Sequence, residues 1–295
     1  AQPQKPDYIL FMPMENVTHD MLAMADESEI QAFTFNTDVP DSEVAQTGQP
    51  REVFKGWIGH LASDNHAAGL ALALRLYDQF LKQKGVKPDT LIGLSGSRDS
   101  SAAVDRNRGL SDLAGHRGLS ASQVLFTNWS KQEAADRITY LTRRYPGLDL
   151  VWSASDGMAL GAIEALESQG LRAGKDVLVG GIDWEQGALE EIKSGRLYIS
   201  LGRHFMGGGL ALLLLSDYDA GFDFADDQGV IMSYELEAAR QDNLTAVRSI
   251  IDPVNWGKTD FRQFSQRFNE TLQAEPLSVQ EILDGFIEAL SPGFH

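Results

Sequence analysis

The sequence predicts an α/β protein with a mostly parallel sheet, and three observations predict it. Short apolar runs alternate with longer stretches of helical periodicity, the pattern from which strand–helix–strand layers are built. Several of those runs are bounded by turn-forming residues. With 295 residues at 43% hydrophobic, 9% aromatic and 23% charged, the chain is long enough for two domains or one large one with a real core, and its composition excludes disordered and fibrous classes.

In chain order the predicted strands are residues 8–12, 32–35, 90–94, 124–127, 150–153, 177–182 and 198–201. Helical patterns fill residues 65–84, 101–114, 130–144, 157–169, 187–194 and 207–218. Ser130 with Glu133 has the form of a capping box, and Gly170 follows Gln169 where a helix stop wants a left-handed residue. After about Ala239 the alternation ends and a helical tail is expected. Phe261, Phe264, Phe268 and Leu272 fall on one helical face. So do Val279, Ile282, Leu283, Phe286, Ile287 and Leu290, behind a second capping box from Ser278 to Glu281. Such faces require burial, on the chain's own body or on a partner protein.

Charge and composition remove several functions. Lys plus Arg is 25 against 42 Asp plus Glu, a net −17 that repels nucleic-acid phosphates and anionic lipid headgroups. Cysteine is absent, which excludes disulfides, thiolate metal sites and cysteine nucleophiles but does not fix the compartment. The greasiest stretch, Leu210 to Leu215, is far too short to span a bilayer, and no secretion signal is visible in the sequence given.

Ligands of doubly wound sheets bind at the carboxyl ends of strands, so polar residues there are the candidates. Asn36 follows Phe35 and reads equally as a turn residue. Arg106 shares the apolar stripe of its helix with Ala103, Leu110, Leu113 and Ala114, where a charge needs a partner, a ligand or an escape to solvent along its own stem. Trp129 could pack on Ala134 as a hydrophobic staple, or offer its face to a sugar ring; Trp184 poses the same choice. Ser155 and Asp156 both suit a helix cap. Asp183 ends an apolar strand, and Arg203 falls on the side of Ile199 and Leu201, where it calls for a carboxylate or an acceptor-rich ligand.

Catalytic motifs are few. The segment from Gly93 to Ser97 is glycine-rich but lacks a phosphate-loop lysine, and no nucleophile elbow is present. The six histidines show no metal-ligand spacing, so neither metal nor cofactor is expected. Asp156 and Asp183 could form a glycosidase pair, but carboxylates among arginines more often accept hydrogen bonds from hydroxyls, and no catalytic residue is assigned.

From about Asp7 to Glu237 the order of segments resembles the periplasmic solute-binding proteins of the ribose type. The resemblance is carried by Pro6 to Pro13, His60 to Asn65 with Gly69, Ala103 to Gly109, Ser155 to Leu166, Val179 to Asp183 and Ile192 to Leu197. It implies two doubly wound, Rossmann-like lobes joined by three crossovers, closing on a ligand held between them. The implied boundaries are residues 1–63 with 204–232 for the first lobe, 64–203 with 233–240 for the second, and 241–295 as a helical extension. The family's ligand-contacting positions fall on Asn36, Arg106, Trp129, Ser155, Asp183 and Arg203, with Asp156 and Trp184 beside them.

The resemblance therefore implies a non-enzymatic periplasmic receptor for a small sugar or polyol, delivered to the membrane permease of an ABC importer. The alternative is a ligand sensor that presents its closed state to a membrane sensor kinase or chemoreceptor. Sugar binders of this type commonly carry Asp-Arg at Asn36-Thr37, Asn-Asp at Ser155-Asp156 and Gln at Arg203. The last two differences look similar to periplasmic autoinducer receptors that bind a small furanose-like signal, so the resemblance does not fix ribose as the ligand. The first strand matches the family's second, so an upstream βα unit of roughly 30 or more residues is expected ahead of residue 1.

Overall fold

Strands and helices alternate through most of the computed structural model, which describes residues 5–294. The chain opens with β1 (Tyr8–Phe11), α1 (Thr18–Glu27), β2 (Gln31–Asn36), α2 (Asp41–Thr47) and β3 (Trp57–Ser63). It continues through α3 (Asn65–Lys84), β4 (Leu91–Ser95), α4 (Ser101–Arg117), β5 (Gln123–Phe126), α5 (Lys131–Arg144), β6 (Leu150–Ser153) and α6 (Asp156–Ser168). Then come β7 (Leu178–Ile182), α7 (Gln186–Ser194), β8 (Ile199–Gly202), α8 (Gly207–Asp219), α9 (Phe224–Asp227), β9 (Ile231–Tyr234) and β10 (Glu237–Ala239). The tail holds α10 (Leu244–Ile251), α11 (Pro253–Lys258), a 3₁₀ turn at Phe261–Phe264, α12 (Glu270–Ala274) and α13 (Val279–Leu290).

Two units result. The first comprises the chain up to Ser63, His204–Glu235 and everything from Arg248 onward; the second comprises Asp64–Arg203 and Leu236–Val247. The chain thus passes between the units four times, the fourth because the tail returns to the first unit. The third passage lies beyond Glu235 rather than before Ser233, since Ser233 and Tyr234 pair with Ala62 and Ser63 inside β9.

The first unit carries a parallel sheet in the order β1-β2-β3-β9. Strand β3 was not among the expected strands, and its residues explain why. Trp57–Ser63 is buried on both faces, so it shows no alternation, and His60 interrupts the apolar run. Burial of that imidazole is offset by Thr34 Oγ1 at 2.8 Å and Asp38 Oδ1 at 3.0 Å.

The expected continuous face from Phe261 to Leu272 is broken. Asp217 on α8, itself buried, accepts from Ser265 Oγ, from Gln266 N at 3.0 Å and from Arg267 N at 3.1 Å. Those backbone donors cannot serve a helix at the same time, so the chain turns there and Phe268 is left 57% exposed. The α13 face meets the other expectation: its six apolar residues are buried within the first unit, and its Ser278–Glu281 capping box is complete. At Ser130 only half the box forms, because Glu133 Oε2 accepts from Asn128 instead.

The second unit carries the sheet β10-β8-β7-β6-β4-β5, parallel except for β10. Strand β5 lies on one side of β4 and β6 on the other, so the topology reverses between β4 and β6, and the carboxyl ends of those strands form the switch point. Helices α3 and α4 pack there at backbone contact. A Cβ on Gly69 would stand 2.1 Å from the Arg106 carbonyl oxygen, so only glycine lets α4 seat close enough to bring Arg106 beside Asn65.

Candidate functional site

The carboxyl edge of the second unit's sheet is marked by backbone strain. Trp129 follows β5, Asp183 and Trp184 follow β7, and Arg203 follows β8; their φ angles are +60°, +142°, +62° and +87°. Asn128 has φ +50°, and in the first unit Asn36, which ends β2, has φ +73°. Non-glycine residues rarely hold such angles, and clusters of them mark sites where side-chain aim is maintained at the expense of backbone comfort.

Arg106 is buried at this edge. Its Nε donates to Asn65 Oδ1 at 2.8 Å and its Nη1 to the Ala154 carbonyl, just past β6, at 2.6 Å. Nη1 also lies 3.9 Å from Asp183 Oδ1, and the guanidinium stands 6.0 Å from the centre of the Trp129 ring. Of the readings open to an arginine on an apolar stripe, escape to solvent is excluded.

The Trp129 indole packs on Gly96, where an added Cβ would meet ring carbons at 2.1 Å, and Nε1 donates to Ser97 Oγ at 3.2 Å. The ring is only partly buried. The glycine-rich segment ending at Ser97 is therefore a floor for an aromatic ring. Trp184 differs: it is 3% exposed, packs on Gly202 and donates from Nε1 to the Ser200 carbonyl at 3.2 Å.

The two acids also separate. Asp156 is fully buried and accepts through Oδ2 from Ser200 Oγ at 2.7 Å and from Glu185 N at 3.0 Å. Burial, with the Asp183 charge nearby, pushes its carboxyl well above the usual range. Asp183 keeps part of its carboxylate at the surface and accepts weakly from Asp156 N at 3.4 Å. Burial raises it to about 6, with Arg106 pulling the other way.

The fold thus brings Arg106, Trp129, Ser155, Asp183 and Arg203 to one edge. Ser155 is a helix cap, accepting from Met158 N at 3.3 Å, and Arg203 is fully buried directly after β8. Asn36 belongs to the first unit, where Nδ2 contacts Met12 Sδ at 3.3 Å. Asp156 and Trp184, expected among the ligand-binding residues, are packed under the edge. Sequence reasoning missed Asn65, Ser97 and the Ala154 carbonyl as groups that hold Arg106 and Trp129. Asn65 sat inside a quoted segment without a role, and a backbone carbonyl has no sequence signature.

A doubly wound unit with a buried arginine, a partly exposed acid and an indole face at its switch point defines a small-molecule binding protein. The chain belongs to the periplasmic binding protein domain family, which residues 2–216 match; this is a family of binding proteins, not enzymes. It is 31% identical over 137 residues to the ribose import binding protein RbsB of Bacillus subtilis, covering 46% of this chain and 42% of the relative. It is 27% identical over 110 residues to the galactofuranose-binding protein YtfQ of Escherichia coli, covering 36% and 35%. These alignments span less than half of either relative. A crystal structure of a periplasmic sugar-binding protein from Pseudomonas fluorescens superposes with TM-score 0.80 at 26% identity, covering 95% of this chain and 82% of that one. Among the described residues no helix is long and apolar enough to cross a membrane.

Proposed function

We propose that the protein binds a small sugar or polyol at the carboxyl edge of the second unit and delivers it, in the periplasm, to the permease of an ABC importer. The observation that carries the reading is the Arg106–Asp183–Trp129 cluster. A fixed guanidinium donates to ring or hydroxyl oxygens, a carboxylate accepts from hydroxyls, and an indole face covers apolar C–H groups. Ser155 and Arg203 line the same edge, and Asp156 and Trp184 set the positions of Glu185 and Asp183. The ribose, galactofuranose and xylitol binders among the relatives support this ligand class.

The test is thermal unfolding of the whole chain with D-ribose, L-arabinose, D-galactose, xylitol and myo-inositol, alongside native mass spectrometry for a retained molecule. At least one polyol should raise the midpoint, and Asp183→Asn and Trp129→Ala should each abolish that rise. Stabilisation by none of them, with no retained small molecule, or an unchanged rise in both variants, would sink the reading. Nothing at the site favours sensing over import.

A further inference from the structure

The opposite end of the second unit's sheet carries a separate polar cavity of about 520 Å³, at the amino ends of β7 and β8. We propose that this cavity is a second ligand site, selective for a small, multiply charged oxyanion such as a di- or tricarboxylate or a phosphate ester.

The cationic wall comes from α3. Gln79 and Lys82 line the cavity, and Arg75, one turn before Gln79 on the same helix face, acts on the Tyr198 hydroxyl that faces them. Arg240, just past β10, closes the other side beside Asp242. Among the described residues nothing hydrogen-bonds or ion-pairs with the side chains of Arg75, Gln79 or Lys82, or with the Tyr198 hydroxyl. The nearby acids are already engaged: Asp242 with Arg240 at 3.3 Å, and Asp78 with Arg117 at 2.9 and 3.0 Å. Lys82 therefore lines this concave site without a partner, and Arg75 stands one turn beyond its Gln79 wall, in a chain of net charge −17 and against the sign of the surrounding field.

The shape of the anion follows from spacing. Arg75 and Lys82 are seven residues apart on α3, roughly 10 Å along the axis, so a single compact ion cannot satisfy both while an extended polyanion can. The floor is fixed, because Gly174 and Gly195 meet at backbone contact and leave no room for a Cβ at Gly174. A half-buried tyrosine hydroxyl and a glutamine amide add neutral donors, which suit an oxyanion better than a halide. A cavity of this size falls in the range of small-molecule sites.

The test compares citrate, inorganic phosphate and sodium chloride at equal ionic strength and pH, by thermal unfolding and isothermal calorimetry on the whole chain. Citrate should stabilise saturably and bind at least tenfold tighter than phosphate, with no saturable effect of chloride. The double substitution Arg75→Gln with Lys82→Gln, both on exposed positions, should weaken citrate at least tenfold, and Tyr198→Phe should weaken it several-fold. Response to polyols should be unchanged in these variants. Citrate no better than chloride, or citrate affinity unchanged in the double variant, would overturn the assignment. Binding of polyglutamate but not citrate would overturn it too, making the surface an acidic-peptide contact.

Discussion

Arg106 Nη1 stands 3.9 Å from Asp183 Oδ1 while donating to the Ala154 carbonyl at 2.6 Å. The guanidinium thus ties the loop after β6 to the acid after β7, and through Nε it ties both to Asn65 at the start of α3. It is as much a strut of the second unit as a candidate ligand contact, and its removal affects both roles.

Arg106→Ala should therefore destabilise the protein even without ligand. The substitution strips donors from Asn65 Oδ1 and the Ala154 carbonyl in a buried setting, at about 1–3 kcal/mol. Urea unfolding of the ligand-free protein measures this. An unchanged midpoint would mean that water replaces the guanidinium without loss.

Asp183 makes stability pH-dependent. Its folded-state pKa of about 6 lies above the ordinary 3.8, so between these values the native state holds more protons than the unfolded chain. This group's contribution is then greatest at low pH and is lost as pH rises through 4 to 6. Asp183→Asn should raise ligand-free stability at pH 7.5 by roughly 1–3 kcal/mol, with little effect at pH 4. Polyol affinity of the unmodified protein should fall below pH 6, as the carboxylate acceptor becomes protonated. Urea unfolding and calorimetry at the two pH values check both, and an equal effect of the substitution at pH 4 and 7.5 contradicts the first.

Gly96→Ala should displace an aromatic ring. An added Cβ would stand 2.1 Å from Trp129 Cε2, so the indole must swing off its floor and lose the Ser97 hydrogen bond. Acrylamide quenching of tryptophan emission should rise, and the rise should vanish in a Trp129→Phe background. Polyol affinity should drop at least tenfold.

Asp217→Ala should loosen the tail. Three donors from residues 265–267 converge on that buried carboxylate, and its loss should cost about 2–4 kcal/mol. Limited proteolysis should then cut between residues 259 and 269 faster than in the unmodified protein, with cleavage elsewhere unchanged at early times.

The α/β class, most of the helices, both polar-capped starts at Ser130 and Ser278, and the strand-end candidates follow from the sequence alone. Local signals suffice for these: apolar periodicity, turn residues and cap spacing act over a few residues. Tertiary structure decided the rest. Strand β3 is invisible locally because His60 breaks its short apolar run, and that histidine is satisfied by residues from β2 and the loop after it. The tail's path depends on Asp217, some 48 residues away along the chain. The sequence placed Asp156 and Asp183, like Trp129 and Trp184, in equivalent positions after strands; whether each lies under the edge or at it depends on what packs on top. Each indole packs on a glycine, Trp129 on Gly96 and Trp184 on Gly202, yet Trp129 stays partly exposed while Trp184 is buried and donates to the Ser200 carbonyl. Such choices are made by steric contact between elements distant in sequence, which no local pattern encodes.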